Sequence, residues 1–570
     1  VRPIPARSFA LLGFGLLLLG FVALRVVATQ RVAFNWDELV LFESIVHSAR
    51  DGIFRSGGRP GLVQLLLAPL LEACQDEIAT GRQIRLVWVG VTLLYLGGIA
   101  ALLAELLRGS ERRIHDVLLG VALLALVPAF LQWSVQVRTD QLALAGGAWG
   151  IAALLASRRR PPLALAAGVC FGLGWLASQK LAYVASLGVL LAAFQGVRAG
   201  WQPHRELARA ALLGAGATVV WLAFRTLVTS QFEVAADHPA RDALPVPLLR
   251  AQFDVFSFYR ATLGWSQYGD IAPTLVAHGA LAGLLALTSW RQLRRGERDA
   301  RLLAAWLVLA LGAGVALFHA AAFAYFWMTL GLFPAVALAL AADPIRREWF
   351  ATPERLRIAT ALLWLAIAVP GVQALAAGWR DTQAVQRDSL AFVHRNFPRE
   401  QLGFHPESAL FCGATPPLGS WFSYTIYRSF GGESREAQVA RVERTFRRAP
   451  VHYMVDSFRL GQFPPELQRF WTDNYMPYRA SVYVAGRRLR GGRGAEQPFE
   501  LIVPGSYRWI PLGEPAAIEV DGRTLAPGEV AELGAGEHRA TFAADGADGA
   551  LVLALDEPPR DAPRSFYEAY

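Results

Sequence analysis

Over its first two thirds the chain alternates long apolar runs with short polar segments rich in arginine. The runs cover about 9–28, 83–107, 114–132, 138–156, 162–179, 182–197, 208–228, 271–290, 302–319, 323–342 and 358–378. Most approach the roughly 20 apolar residues that cross a bilayer as a helix. The pattern therefore predicts a polytopic α-helical membrane protein with about eleven transmembrane helices. The first run follows Arg2 and Arg7 as a signal peptide would. Its length and the lack of a small-residue cleavage site predict an uncleaved span instead.

Between the first two runs lies a segment, 29–82, too long for a plain connector. In it Leu39, Phe42, Val46 and Ala49 recur at helical spacing and predict one apolar helix face. The glycines and proline of DGIFRSGGRP then break the chain, and LVQLLLAPLLEA (62–73) is apolar but too short to span, as expected of a helix lying in the interface. Beyond residue 378 the pattern changes again. Residues 380–397 and 433–449 read as helices and VHYMVD (451–456) as a strand, so 379–480 is expected to be an α/β region. From 481 to 570, SVYVAGRRL, FELIVPGSYRWI, AAIEVDGRTL and GEHRATFAA alternate apolar and polar residues between turns, which predicts a small antiparallel β-sandwich.

Composition agrees with the membrane assignment, since 54% of the 570 residues are hydrophobic and 18% charged. The net charge of +9 changes the picture little. Its arginines lie in short clusters between apolar runs, a mark of membrane topology and not of a nucleic-acid surface, so no nucleic-acid partner is expected. The clusters Arg108/Arg112/Arg113, Arg158–Arg160, Arg198/Arg205, Arg291/Arg294/Arg295/Arg298 and Arg346/Arg347/Arg355/Arg357 fall in alternate loops. The positive-inside rule makes those loops and the N-terminus cytoplasmic and puts 379–570 on the extracytoplasmic side. Cys74, Cys170 and Cys412 lack metal-ligand spacing; free thiols are expected, with a Cys74–Cys412 bridge as the alternative.

Against this background a few ionisable residues stand out at the outer ends of spans. Asp37 and Glu38, in FNWDELVLFE, either cap a helix or supply a general base or metal ligand. Asp140 follows Arg138 by two residues, and the two either pair with each other or face a wet cavity. Lys180, the only lysine in the chain, is either a snorkelling anchor or a point-charge ligand for phosphate. Arg59, beside Pro60, is an interfacial anchor or a grip on a lipid phosphate. Tyr325 and Trp327 are aromatic-belt residues or, more sharply, a stacking surface for a sugar ring.

The order of these elements resembles the GT-C superfamily of membrane glycosyltransferases, in particular the protein O-mannosyltransferase and aminoarabinose lipid A transferase type. The resemblance covers about residues 1–345. Asp37-Glu38 is similar to the family's acidic pair on a short helix of the first outer loop, which implies that Asp37 deprotonates the acceptor hydroxyl. Arg59-Pro60 stands where the family has Lys-Pro or His-Pro-Pro, and Asp140 matches a later aspartate. GLGWLASQK resembles the family's Gly-Leu-x-x-x-x-Thr-Lys element, with Gln179 in place of threonine, and aligns Lys180 with its phosphate-facing lysine. FAYFWMTLGLFP keeps the Tyr325 and Pro334 of a further family element and lacks its arginine.

The resemblance implies a GT-C-type catalytic domain over 1–378 and an inverting transfer of a sugar from a polyprenyl-phosphate-linked donor. Asp37, Glu38 and Asp140 are then the catalytic candidates, and Arg59, Arg138, Lys180 and Tyr325 the substrate-binding ones. Expected partners are that donor, membrane lipid and an acceptor glycan, lipid or protein. The expected location is the bacterial inner membrane. No cofactor is expected, although Asp37 with Asp140 can hold a divalent cation. The rival classes are a lipid-linked-sugar flippase, which would use charges near the membrane midplane, and a non-catalytic assembly factor of envelope glycan synthesis.

Overall fold

The structure, a computed structural model, describes residues 6–54, 61–110, 112–234, 272–318, 326–399, 401–405, 408–413, 434–457, 460–559 and 564–567. The chain divides into two compact units. One comprises 1–30, 47–72 and 82–380; the other comprises 31–46, 73–81 and 381–570.

The first unit is helical. Each apolar run of the sequence coincides with helix: α1 (Ala6–Arg31), α4 (Glu77–Leu106), α5 (Arg113–Ala125) with α6 (Pro128–Trp133), α7 (Thr139–Ala156), α8 (Leu163–Ala177), α9 (Leu181–Ala199), α10 (Pro203–Gln231), and the helices Ala272–Arg294, Ala300–Phe318, Leu332–Trp349 and Pro353–Gly378. The loop after α1 adds α2 (Trp36–Asp51), of which residues 36–46 belong to the second unit, and α3 (Leu62–Glu72), both at expected places. Among the described residues, six helices are individually long and apolar enough to cross a membrane; Leu18–Arg31 and Trp36–Asp51 form a further pair, bent by 76° at its break. The expected run 114–132 is two helices, because Pro128 starts a new one at its first position. The expected run 162–179 is helical for only 15 residues.

Small residues set the packing of this unit. A Cβ on Gly146 of α7 would lie 2.6 Å from the Cys170 carbonyl oxygen and 3.0 Å from Gly174 Cα, both on α8. A side chain there would part the two helices, so the glycines permit backbone-to-backbone contact, as is usual where lipid offers no hydrophobic drive for helix association. The Leu332–Trp349 helix is buried along most of its length, with Leu332, Phe333, Val336 and Leu340 in the central cluster of the unit.

The second unit holds the sheets. Gly403–Phe404 (β1), Tyr453–Val455 (β2), Tyr475–Arg479 (β3), Val482–Gly491 (β4), Glu496–Leu501 (β5), Gly505–Pro511 (β6), Ile518–Val520 (β7), Arg523–Leu525 (β8), Val530–Leu533 (β9), Gly536–Phe542 (β10) and Ala547–Leu553 (β11) form two sheets. One has the order β1-β2-β4-β11-β6-β9, with β3 also on β4; the other has the order β5-β10-β7-β8. All pairings are antiparallel except β1–β2. Strand β4 pairs with β2 and β3 through Val482–Ala485 and with β11 through Gly486–Gly491, so one strand joins the α/β part to the antiparallel part. Helices Ala384–Asn396 and Arg435–Arg448 lie where the sequence pattern predicts them. Phe404, Phe446, Met454, Trp471 and Tyr475 bury the centre of the α/β part.

Cys74 and Cys412 form a disulfide within this unit, against the expectation of free thiols. They stand 338 residues apart in sequence, and only folding brings their Cα atoms to 5.4 Å. Cys170, on α8, remains a free thiol.

Candidate functional site

Two groups of ionisable residues hold the positions singled out in the sequence, one in each unit. In the second unit, Asp37 and Glu38 occupy the first turn of α2. Asn35 caps this helix: its side-chain oxygen accepts the Asp37 N–H at 2.9 Å, while Glu38 Oε2 accepts the Asn35 N–H at 3.0 Å. This reciprocal exchange is a capping box, legible in the spacing of Asn35 and Glu38. Glu38 is fully buried and, by accepting the Asn35 N–H, holds the first turn of the helix. Asp37, next to it, is half-buried and sits at the positive end of the helix.

In the first unit, Asp140 and Lys180 meet. Asp140 stands in the first turn of α7, and Lys180 directly precedes α9. Lys180 Nζ donates to Asp140 Oδ2 at 2.5 Å, and Ser178 Oγ donates to Asp140 Oδ1 at 2.9 Å. Both charged residues are less than a tenth exposed. A lysine so enclosed is not a snorkelling anchor. The Phe326 ring lies 5.9 Å from its ammonium, and the Tyr183 ring meets Phe326 edge-on at 6.1 Å. Such ring faces favour a cation.

Arg138 precedes α7 with extended backbone, and its guanidinium donates to Gln136 Oε1 at 3.3 Å. The strand of chain leading to it is tied down by buried side chains. The Trp88 indole donates to the Arg138 carbonyl at 3.2 Å, and Thr92 and Gln141 both donate to the Ser134 carbonyl at 3.1 Å. Buried backbone carbonyls need such partners, and these fix where α7 begins. Arg59 and Tyr325 lie outside the described residues. Asn35, Ser178 and Phe326 were not singled out from the sequence. Asn35 had a signal in its capping spacing, Ser178 in its place two residues before Lys180, and Phe326 in its place between Tyr325 and Trp327.

The residues present do not make a seat for a divalent cation at Asp140. Its two oxygens already accept from Ser178 and Lys180, and an ammonium in contact repels a second cation. Among the described residues no three His, Cys, Asp or Glu side chains cluster as a metal site.

No protein-family model matches the chain. No curated protein matches it either. Among solved structures it is similar to the oligosaccharyltransferase of Archaeoglobus fulgidus. The apo form matches at 12% identity over 96% of this chain and 97% of that one, with a TM-score of 0.49. The complex with Zn and sulfate matches at 13% identity over 95% and 98%, with a TM-score of 0.45. The oligosaccharyltransferase AglB of the same organism, in complex with an inhibitory peptide and a dolichol-phosphate, matches at 13% identity over 81% of this chain and 72% of that one, with a TM-score of 0.45.

Proposed function

We propose that the protein is an inverting membrane glycosyltransferase of the GT-C kind. It moves a sugar from a polyprenyl-phosphate carrier to an acceptor hydroxyl on the extracytoplasmic face of the bacterial inner membrane. The supporting observation is the buried Lys180–Asp140–Ser178 cluster, which holds the only lysine of the chain in place at the junction of two helices. A membrane helix junction that encloses an ammonium group and a carboxylate is costly unless the charges serve a purpose.

In this mechanism Asp37 takes the proton of the acceptor hydroxyl as the oxygen attacks the anomeric carbon. Attack comes from the side opposite the leaving phosphate, so the configuration inverts. The departing phosphate gains negative charge, which Lys180, Arg138 and Arg59 offset as cationic groups. Asp140 and Ser178 orient Lys180. Glu38 holds the helix turn that carries the base. General-base assistance contributes typically about 10²–10⁴-fold.

The test uses membranes of a strain lacking the protein, which contain both donor and acceptor, with purified protein added back. Asp37→Asn is expected to accumulate and fold normally and to lose transfer by at least about a hundredfold. Normal transfer by Asp37→Asn would overturn the base assignment. Export of lipid-linked sugar without any new glycosidic bond would favour the flippase class.

A further inference from the structure

The segment leading into Asp37 makes none of its backbone hydrogen bonds as regular secondary structure until α2 begins. The start of the helix Ala384–Asn396, about 350 residues later, supplies partners. Thr382 and Gln383 N–H donate to the Arg31 carbonyl at 2.9 and 3.0 Å. The Ala33 N–H donates to Thr382 Oγ1 at 3.0 Å. Gln386 takes both backbone groups of Phe34: its Oε1 accepts the N–H at 2.7 Å and its Nε2 donates to the carbonyl at 2.9 Å. The amide of Gln386 thus replaces a neighbouring strand. It is 1% exposed, so water is no substitute.

Packing completes the grip. A Cβ on Gly81 would meet the Phe34 ring at 2.6 Å, so the absence of a side chain there admits the ring. Tyr567 lies edge-on to Trp36 at 6.3 Å. Further along the same helix, Ser408 Oγ donates to Glu43 Oε2 at 2.6 Å, and Phe411 meets Phe42 at 5.2 Å. Residues 31–46 are accordingly part of the compact unit formed with 381–570.

We propose that Thr382 and Gln386 are positioning residues for Asp37: through the backbone of Ala33 and Phe34 they set where the first turn of α2 stands, which makes the C-terminal domain a working part of the transferase. The proposal rests on Asp37 being the base. Misplacement of a reacting group by about 1 Å costs on the order of a hundredfold in rate, and a segment of irregular backbone moves that far once its partners go.

The experiment uses full-length protein in detergent and in the add-back membrane assay, supplemented with lipid extract from the strain lacking the protein. Gln386→Leu removes both bonds to Phe34. Thr382→Val removes the acceptor for Ala33, and Thr382→Ser restores it. Hydrogen exchange of peptide 31–38 is expected to rise at least about tenfold in Gln386→Leu, while peptides from β4, β6 and β11 stay as in the wild type. The maximal transfer rate is expected to fall about tenfold or more, with the half-saturating extract concentration within about twofold of wild type. Thr382→Val behaves likewise to a smaller extent, and Thr382→Ser is restored. Should Gln386→Leu fail to accumulate, the Thr382 pair decides alone, since Thr382 is exposed. Unchanged exchange in 31–38, or faster exchange with an unchanged transfer rate, overturns the proposal. If Asp37→Asn transfers normally, the base assignment falls and this role with it. If Asp37→Asn is inactive and Gln386→Leu fully active, only the positioning role falls.

Discussion

Lys180 and Asp140, 40 residues apart in sequence, form a buried ion pair at 2.5 Å with Ser178 as a third member. A pair of this kind contributes little net stability when compared with apolar replacements, but removing one partner strands the other. Lys180→Met is therefore expected to destabilise the protein by about 3–5 kcal/mol, and Lys180→Met with Asp140→Asn by clearly less. Melting of the purified full-length protein checks the order. A double variant no more stable than the single one would contradict the pair.

Cys74 and Cys412 should be inert to maleimide in the untreated protein and reactive after reduction, while Cys170 responds independently of reductant. In intact cells, a membrane-impermeant maleimide is expected to label Cys74 and Cys412 only after reductant is added. Disulfides persist in oxidising compartments; labelling without reductant would argue against the bond, and no labelling even after reduction would argue against an extracytoplasmic position of these cysteines. Cys412→Ala is expected to cost roughly 2–5 kcal/mol, as removal of native disulfides does.

His394 Nε2 lies 2.6 Å from Glu77 Oε2, and Glu77 Oε1 accepts the Cys412 N–H at 3.2 Å. The hydrogen bond to Glu77 raises the pKa of His394 above its ordinary value, with burial opposing it, Arg399 lowering it and Asp76 adding to the rise. A histidine with a raised folded-state pKa stabilises fully below the unfolded value, about 6.5. That contribution disappears as pH rises through the folded value. Hydrogen exchange across Ala384–Asn396 is expected to quicken as pH climbs through that window, beyond the intrinsic pH effect. His394→Gln should remove the extra dependence. An unchanged profile in the variant would show that the pair has no such effect.

Asp456 adds a second dependence of the same sign by different physics. Burial pushes its carboxyl up to about 6, with only a backbone hydrogen bond to Ser457 in opposition. The folded state thus favours the neutral acid, and stability falls as pH rises from about 4 to about 6. Asp456→Asn is expected to melt higher than wild type near neutral pH and equally below about pH 4. Equal melting at neutral pH would show that the charge is not penalised.

Gly146→Val is expected to part α7 from α8, since its Cβ meets backbone atoms of Cys170 and Gly174. Gly279→Ala, where nothing lies within 4 Å of the new Cβ, serves as the control. Size-exclusion profiles in detergent should show aggregation or loss for the first and none for the second.

Much was legible in the sequence because it depends on near neighbours. Apolar runs mark the helices from α4 to Pro353–Gly378, since a bilayer demands length and hydrophobicity in one continuous stretch. Alternation marks β4, β6, β7 and β10, since a strand shows its two faces at every second residue. Even the cap of α2 lies within four residues, Asn35 to Glu38. Other features rest on groups that meet only when the chain has folded. Asp140 and Lys180 each stood out in the sequence, but the nearby cation was Arg138, and nothing local pointed to a pairing across 40 residues. Gln386 looks like any polar residue of a surface helix until the backbone of Phe34 arrives beside it. The Cys74–Cys412 bond joins residues that no local spacing connects. Periodicity records which face of an element is apolar. Which element covers that face, and which buried polar group finds its partner there, is decided by the tertiary fold, because such contacts depend on the positions of all the elements at once.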